Sequence, residues 1–524
     1  MLSTATLTLG ISCVIALGVA SGLIRRRVHP LPLPPGPRPI PFLGNVLQLD
    51  TKRPWLTYTA WGKTYGKIIF CRILGIDLVI INSEITAQEL LEKRSLNYSA
   101  RPVFRTNELA GLNFITIALP YGETLRHHRK IFHQVLKAEV SASYQEIYSR
   151  HANRLVINLL GATDDLQHHA ETYTGTVIIA VTYGDLAHGN EGSYLTRAHE
   201  LVDIAKQILT PEKAAMFTAF PFLEKLPFWC FGGAHSLMGR SKELSQQLLN
   251  EPFNEVKAQM ANGTASHSLL TDCLSQPHDD GDEDIMKAVA LTGYIAGMET
   301  VSRHLSSPDS CFDVRQTASV LHTFLLAMVL YPDVQALARA EIDQVVRHNK
   351  MPCLNDRASL PYIDAILREV MRWYPPAPLG FARATSDDDV YDGHFIPKGA
   401  TVIVNQWALS RDEDIFPDAS HFDPSRHLTA DGKLKSPVAN HFAFGHGRRI
   451  CPGRWFAEYS LWTAIAAILA VLRIDHAKDS NGHRIEVKPK FTTGLTAQPE
   501  PFHCSFEIVS TAREGQIRAM MNSE

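Results

Sequence analysis

No two of the eight cysteines in this 524-residue chain form a Cys-x-x-Cys pair, and they are scattered from position 13 to position 504. Zinc ribbons and dithiol redox enzymes need such pairs, so the pattern argues against both classes. A chain this long with so few cysteines is not a disulfide-stabilised scaffold either. Most of the eight are therefore expected to be small buried apolar residues, and a cysteine with a chemical role must act alone.

The sequence also lacks a charge excess, internal repeats and low-complexity stretches. Fifty-one basic residues face 54 acidic ones, the net charge is −3 and the pI is about 6.8, so we expect no nucleic-acid partner. No second linker interrupts the chain between residues 43 and 509. A single catalytic domain, residues 43–524, is the simplest organisation.

The N-terminal region has no charged side chain between residues 5 and 24, and Arg25, Arg26 and Arg27 follow. About 20 residues at helical rise just cross a bilayer core. A cleaved signal peptide carries its positive charge before a shorter apolar stretch, so we expect a retained single-pass anchor over residues 1–28. The basic cluster places the rest of the chain on the cytosolic side. Residues 29–42 are rich in proline, which predicts an extended, semi-rigid hinge.

Helical patterns dominate the rest of the chain. Residues 332–347 and 361–373 each begin with proline, which suits a first helical turn, and Ile363, Ile366 and Val370 share one apolar face. Residues 69–82 and 390–405 are instead β-branched and broken by turns. The pattern predicts a mainly α protein with a small β-rich part.

One cysteine lies in an unusual loop. The segment reads Phe444-Gly445-His446-Gly447-Arg448-Arg449-Ile450-Cys451-Pro452-Gly453, and a long apolar stretch follows it. The glycines allow sharp turns, and Pro452 predicts a helix from residue 452 to about 472. The helix start and the arginines at 448, 449 and 454 are expected to lower the pKa of the Cys451 thiol. A thiolate is a metal ligand, so the loop predicts a cysteine bound to iron.

The spacing Phe-x-x-Gly-x-Arg-x-Cys-x-Gly resembles the signature of the cytochrome P450 haem-thiolate monooxygenases, and every specified position is present. The resemblance covers nearly the whole chain and implies the cytochrome P450 fold with haem b, iron protoporphyrin IX, as the cofactor. It implies that Cys451 is the iron ligand. The implied cofactor-binding residues are Arg129, Arg383, Phe444, Gly445, Arg449 and Gly453, with the three arginines on the haem propionates. Leu125 replaces a tryptophan of the family pattern four residues before Arg129.

Two further motifs carry the resemblance. Glu369 and Arg372 are three residues apart on a predicted helix, and Arg426 lies in a segment similar to the family's meander, which implies a structural triad. That meander departs from Pro-Glu-Arg-Phe at Ser425 and His427. An exposed helix pair is the alternative for Glu369 and Arg372.

Residues 296–300, Ala-Gly-Met-Glu-Thr, resemble the family's central oxygen-activating helix. The resemblance implies catalytic proton transfer by Glu299 and Thr300, joined by Thr317, which follows them once residues 301–316 are removed. A surface or helix-cap position is the alternative for Glu299 and Thr300.

Residues 301–316 interrupt this motif. Their removal is in frame and joins Thr300 to Thr317, and Val301-Ser302 and Gln316 are compatible with splice-site sequences. Sixteen residues rotate the downstream apolar face by roughly 160°, and Pro308 inside a helix costs about 3 kcal/mol, so the segment should loop out. We hypothesise that it is a retained intron; a tolerated family-specific loop is the alternative.

The resemblance is to microsomal fungal members active in secondary or xenobiotic metabolism. It implies insertion of one oxygen atom from O2 into a small apolar substrate, with electrons from an NADPH-dependent cytochrome reductase, in the endoplasmic reticulum membrane with a cytosolic catalytic domain. A haem-thiolate isomerase or peroxygenase remains an alternative, as does an inactive haem-binding protein if the insertion is real. Substrate contacts are expected from residues 104–117, 201–222, 377–381 and 492–495.

Overall fold

The computed structural model describes residues 30–41, 43–102, 105–161, 165–186, 190–208, 234–277, 280–298 and 316–522. The expected anchor over residues 1–28, the residues Glu299 and Thr300, and the side chain of Thr317 lie outside the described part. Residues 301–315 of the expected insertion also lie outside it.

Helices make up most of the described chain. They are α1 Pro54–Tyr65, α2 Glu84–Gln88, α3 Arg105–Leu109, α4 Glu123–Leu136, α5 Ala138–Ser143, α6 Gln145–Gly161, α7 Leu166–Tyr183, α8 Asn190–Ile208, α9 Ala234–Ala261, α10 Leu269–Leu274, α11 Asp280–Met298, α12 Gln316–Leu330, α13 Pro332–Val345, α14 Pro361–Trp373, α15 Gln406–Ser410, α16 Arg454–Val471 and α17 Thr511–Asn522. A π-helical turn, Glu89–Lys93, continues α2.

The strands are short. They are β1 Ile68–Ile73, β2 Ile76–Ile81, β3 Arg383–Ala384, β4 Asp389–Tyr391, β5 His394–Ile396, β6 Thr401–Val404, β7 Leu472–His476 and β8 Cys504–Ile508. They form one four-stranded sheet in the order β1-β2-β6-β3 and two two-stranded sheets, β4-β5 and β7-β8. The mainly helical fold with a small β-rich part is thereby confirmed.

The chain divides into two units. The first comprises Met1–Pro102, Leu379–Leu409 and His446–Arg449, and the second comprises Val103–Pro378, Ser410–Gly445 and Ile450–Glu524. In the first unit, alternate residues of β1 and β2 face opposite sides of the sheet. Ile69 and Ile80 pack with Tyr58 of α1 on one side, whereas Ile68 and Val79 join the core on the other. The continuous apolar runs of these strands, Ile68–Cys71 in β1 and Leu78–Ile81 in β2, thus pack on both faces of the sheet.

The proline-rich segment is attached to the first unit along part of its length. The carbonyl of Pro35 accepts a hydrogen bond from the Phe70 amide at 2.9 Å, and that of Pro32 accepts one from the Phe395 amide at 2.7 Å. Proline has no amide proton but retains its carbonyl, so it can accept from a strand edge. The segment therefore extends the sheet edges of β1 and β5.

The second unit is built around α16, which is buried on all sides. Residues from Ser460 to Val471 of this helix are all buried, and Trp462 is fully enclosed. A helix that is apolar all round belongs in a protein core. Its neighbours include α6, α13 and α14. The core thus holds the helix that follows Cys451 in a fixed position.

The central helix is described on either side of residues 299–315, which themselves lie outside the described part. Helix α11 ends at Met298 and α12 begins at Gln316, and both pack against α7. Across the described ranges, no single helix is long and apolar enough to cross a bilayer. Ala318–Leu330 and α13 meet the length and composition requirement only as a pair bent by 105°.

Candidate active site

The loop before α16 is shaped by glycines and closed by a main-chain bond. Gly445 and Gly447 have φ angles of +79° and +53°, a region that residues with a Cβ rarely adopt. The Cys451 amide donates to the carbonyl of Phe444 at 2.8 Å. The loop therefore brings Phe444 and Cys451 together, as the signature predicts.

The start of the following helix differs from the prediction. Helix α16 begins at Arg454, Gly453 is its N-cap residue, and Pro452 lies in the turn before it. The amide of Gly453 is hydrogen-bonded to the Cys451 sulfur. The prediction that Pro452 opens the helix is therefore wrong by two residues, because the backbone of Gly453, with φ −87° and ψ +15°, is not helical.

The pKa of the Cys451 thiol is also opposite to the prediction. Burial raises it, and the Gly453 hydrogen bond and the charges of Arg129 and Arg454 only partly oppose that effect. Arg448 and Arg449 bond elsewhere, to Ser95 and Ser99 of the first unit. A coordinated metal ion deprotonates a cysteine outright, so the raised pKa applies to the free thiol. One sulfur among cations fits a thiolate ligand to iron.

Arg129 lies close to this sulfur in the second unit. It belongs to α4, and its Nη1 donates to the carbonyl of Ile450 at 2.9 Å. Burial and Arg454 lower its pKa, whereas Cys451 raises it. Leu125, which replaces the family's tryptophan on the same helix, is buried. Helix α4 therefore holds the cysteine loop through an arginine.

The other two predicted propionate ligands lie in the first unit with an arginine that the sequence did not reveal. Arg383 Nη2 donates to the carbonyl of His446 at 2.6 Å, and Arg449 Nε donates to that of Ser99 at 2.9 Å. Arg101 Nη1 donates to the carbonyl of Phe381 at 2.8 Å. Burial lowers the pKa of Arg101 well below its usual value, and the charges of Arg449 and Arg383 lower it further. Three mutually repelling guanidinium groups fit an anionic ligand such as a pair of carboxylates.

The part of the cysteine loop that belongs to the first unit, residues 446–449, contacts α2 and the π-helical turn. His446 Nε2 is 3.0 Å from Glu84 Oε1, and Arg448 Nε donates to Ser95 Oγ at 3.0 Å. A Cβ at Gly447 would lie only 2.0 Å from the carbonyl oxygen of Leu91. Because that neighbour is main chain, glycine is required at this position.

The structure brings together all three predicted members of the triad and adds a fourth member, which is a third donor to Glu369. Arg372 forms two hydrogen bonds to Glu369, at 2.7 and 2.8 Å, and Arg426 Nε donates at 3.2 Å. His427 Nε2 lies 2.9 Å from the second carboxylate oxygen, where its N–H donates. Glu369 and Arg372 are fully buried, so the exposed-pair alternative is excluded.

The electrostatics of this cluster favour a charged glutamate and a neutral histidine. Burial alone would raise the pKa of Glu369, but hydrogen bonds from Arg372 and His427 lower it overall. Burial lowers the pKa of His427, against the opposing effect of Glu369. Arg372 also donates to the carbonyls of Ser410 and Ala419. The carboxylate therefore fixes the meander to α14.

The end of α11 combines one open and one tightly packed position. Ala296 is exposed on a helix whose neighbours Tyr294 and Ile295 are buried. A Cβ at Gly297 would lie 2.5 Å from a side-chain carbon of Ile178 in α7. The small pair therefore has two uses, because alanine leaves an open face and glycine permits close packing of α11 against α7.

The comparisons with known proteins agree with this geometry. The cytochrome P450 family model matches residues 34–307 and 314–506. The chain belongs to the cytochrome P450 family. It is 33% identical over 515 residues to the cytochrome P450 monooxygenase COX1 of Coprinopsis cinerea, covering 95% of this chain and 96% of that protein. It is also 33% identical over 514 residues to the cytochrome P450 monooxygenase claR of Ampulloclitocybe clavipes, with 97% and 91% covered.

Cytochrome P450 proteins bind haem and are oxidoreductases, and the relatives of this chain carry the name monooxygenase. This P450 is therefore a haem-binding oxidoreductase of the monooxygenase type. The break in the family match, between residues 307 and 314, falls inside the segment 301–316 that interrupts the central helix.

Proposed function

We propose that this P450 inserts one oxygen atom from O2 into a small apolar substrate, with electrons from a membrane-bound NADPH-dependent flavoprotein reductase. The observation that carries the proposal is the position of Cys451, whose sulfur lies beside Arg129 and Arg454 and accepts the Gly453 amide. When bound, haem supplies the oxygen chemistry, and a thiolate ligand favours cleavage of the O–O bond.

The protein's own residues would then provide binding, orientation and charge. Cys451 would hold the iron, and Arg101, Arg383 and Arg449 in the first unit and Arg129 in the second would neutralise the propionates. Glu369, with its donors Arg372, Arg426 and His427, keeps the meander in place. Glu299, Thr300 and Thr317 remain our proposed proton-transfer residues; Glu299, Thr300 and the side chain of Thr317 lie outside the described structure.

An apolar substrate is supported by the open face of the central helix. Ala296 exposes a methyl group there, and Phe114 and Ile117, in a segment expected to contact substrate, are apolar and partly exposed. Retention in the endoplasmic reticulum membrane through residues 1–28 is part of the same proposal. An apolar compound partitions into the bilayer, so a membrane-attached enzyme meets it at high local concentration.

The decisive experiment is the replacement Cys451→Ser, with Cys353→Ser as the matched control because both cysteines are half-buried. After chemical reduction and addition of carbon monoxide, the wild type and the control should absorb at about 450 nm, and both should consume NADPH with added reductase. Cys451→Ser should lose both properties. Retention of the band in Cys451→Ser would refute the assigned ligand. Turnover that needs peroxide and no reductase would replace the monooxygenase assignment with the peroxygenase one.

A further inference from the structure

A chain of three buried polar side chains connects α4, the loop that precedes it, and the central helix α11. Thr116 Oγ1 of the loop lies 2.9 Å from Nδ1 of His128, and the Thr116 amide donates to Oγ1 of Thr292 at 3.3 Å. The three residues are only 7%, 2% and 8% exposed, in the order Thr116, His128, Thr292. Thr116 of the loop is thus hydrogen-bonded to two helices, to α4 through its hydroxyl and to α11 through its amide.

These polar groups lie in an apolar environment. Ile131 and Phe132 of α4 and Val289 of α11 belong to the same core, and the Phe132 ring is 3.4 Å from the Cβ position of Gly293. A buried polar group is costly unless it is hydrogen-bonded, so each member depends on its partner. Burial, together with the charge of the neighbouring His127, lowers the pKa of His128 to about 4. The imidazole is therefore neutral at physiological pH and keeps one donor and one acceptor nitrogen.

The bonded loop lies next to the open face of the central helix. Thr292 precedes Ala296 by four residues, so the two share one side of α11. Ile117, which follows Thr116, is 37% exposed. The loop is also held at its other end, where Ser241 Oγ donates to the carbonyl of Ala110 at 2.8 Å. The bond to Thr292 therefore determines how close Ile117 comes to the side of the helix that carries Ala296.

We propose that the His128–Thr116–Thr292 chain is a specificity-determining tie, which holds the loop of residues 111–119 against α11 and thereby limits the size of ligand that this face admits. The inference rests on the proposed function, because it places the substrate on that face. His128 is a positioning residue: it acts through Thr116 and does not contact the substrate. Release of the tie should favour large ligands over small ones.

The first test measures the tie itself and does not depend on haem. Thr116→Val and Thr292→Val remove one hydroxyl each and keep the side-chain shape. Thr174→Val is the matched control, since Thr174 is buried and its hydroxyl donates only within its own helix, to the carbonyl of Glu171. Amide hydrogen exchange in residues 111–119 should become about five- to tenfold faster in both test variants and stay unchanged in the control. Unchanged exchange in both would overturn the proposal.

The second test measures ligand size selectivity. Imidazole and the much larger clotrimazole both bind haem iron through a nitrogen and shift the Soret band, so their dissociation constants can be measured without a known substrate. The ratio of the clotrimazole to the imidazole constant should fall about fivefold or more in Thr116→Val and in Thr292→Val, and at least as far in the double variant, because the two substitutions remove different bonds of the same tie. An unchanged ratio in variants with faster exchange would reduce the tie to a structural role and reject the specificity claim.

The two hypotheses fail in different ways. Absence of the 450 nm band in the wild type would refute the proposed function, whereas hydrogen exchange would still show whether the tie exists. A normal band with unchanged exchange and an unchanged ligand ratio in both variants would refute only the tie.

Discussion

At the scale of single residues, the carboxylate of Glu369 is unusual in the number of donors that it collects. It accepts from Arg372, Arg426, His427 and the amide of Asp423. An ionised group in a protein core is tolerated only when its lone pairs are satisfied, so the loss of a single donor leaves part of a buried charge unsolvated. His427 is the member that departs from the family's usual phenylalanine.

We predict that His427→Phe lowers the free energy of unfolding by about 1.5–3 kcal/mol, the range for hydrogen bonds to charged groups. Phenylalanine keeps most of the ring volume, so the loss of the bond to Glu369 should dominate over the loss of packing. Thermal unfolding followed by circular dichroism measures the change. Ser425→Ala is the control, because its exposed hydroxyl bonds to Asp423 and not to Glu369. A shift no larger than that of the control would show that the histidine bond does not stabilise the meander.

The sequence identified most of the residues of this site, but it did not show which of them are buried or which distant residues they contact. Glu369 and Arg372 were predictable because a spacing of three places them on one helix face. His427 and Arg101 were not, since both join their partners from distant parts of the chain: Arg101 meets Arg383 across 282 positions of sequence. The pKa of Cys451 was predicted with the wrong sign because the sequence shows nearby cations but not burial.

At the scale of elements, α14 begins without a side-chain cap of its own. Its N-cap residue is Leu360, and the two carboxylate oxygens of Glu341 in α13 accept the amide of Tyr362 at 3.1 Å each. Burial and the charge of Asp364 raise the pKa of Glu341 to about 7, against the opposing effect of the amides of Tyr362 and Ile363. The helix that carries Glu369 is therefore capped by a neighbouring helix through a group that titrates near neutrality.

This cap predicts a pH-dependent stability difference between the wild type and Glu341→Gln. A carboxyl group with a raised pKa in the folded state binds its proton more tightly there, so its stabilising effect is full below about pH 4.3, the unfolded value, and is lost as the pH rises through about 7. The Tm of the wild type should therefore fall relative to that of Glu341→Gln between pH 5 and pH 8. The exposed acid Asp333 on the same helix gives the control variant Asp333→Asn. Parallel Tm curves for the wild type and Glu341→Gln would contradict the assigned titration.

Element boundaries were predictable where proline and apolar spacing agree. The expected helix 361–373 is observed as Pro361–Trp373, and 332–347 as Pro332–Val345. The start of α16 was misplaced because Pro452 is compatible with a first turn, whereas the bond between the Gly453 amide and the sulfur is visible only in three dimensions. The attachment of Pro32 and Pro35 to strand edges was likewise not encoded in any local pattern.

At the scale of the whole molecule, the segment 301–316 concerns both the gene and the protein. It interrupts the Ala-Gly-Met-Glu-Thr motif in the sequence, and the family match breaks inside it, between residues 307 and 314. We keep the hypothesis that residues 301–316 are a retained intron. It predicts that mature transcripts lack these 16 codons, and sequencing them is the direct check.

The same hypothesis predicts a property of the purified protein. A variant without residues 301–316 should unfold at a higher temperature than the full chain, because the continuous helix removes two frayed ends and a loop-closure cost. It should also show a larger 450 nm band per mole of protein, measured in parallel preparations. Active enzyme whose message keeps the codons would end the intron hypothesis and favour a tolerated loop.

Two of the glycines differ in how replaceable they are during evolution or engineering. At Gly297 the obstacle is the side chain of Ile178, including its Cβ at 2.9 Å, so glycine at 178 would make room for alanine at 297, and the two positions form a compensating pair. At Gly447 the obstacle is the carbonyl oxygen of Leu91, which every amino acid carries. No second substitution can therefore rescue a change at 447, and a library that varies both glycines should yield survivors at one and none at the other.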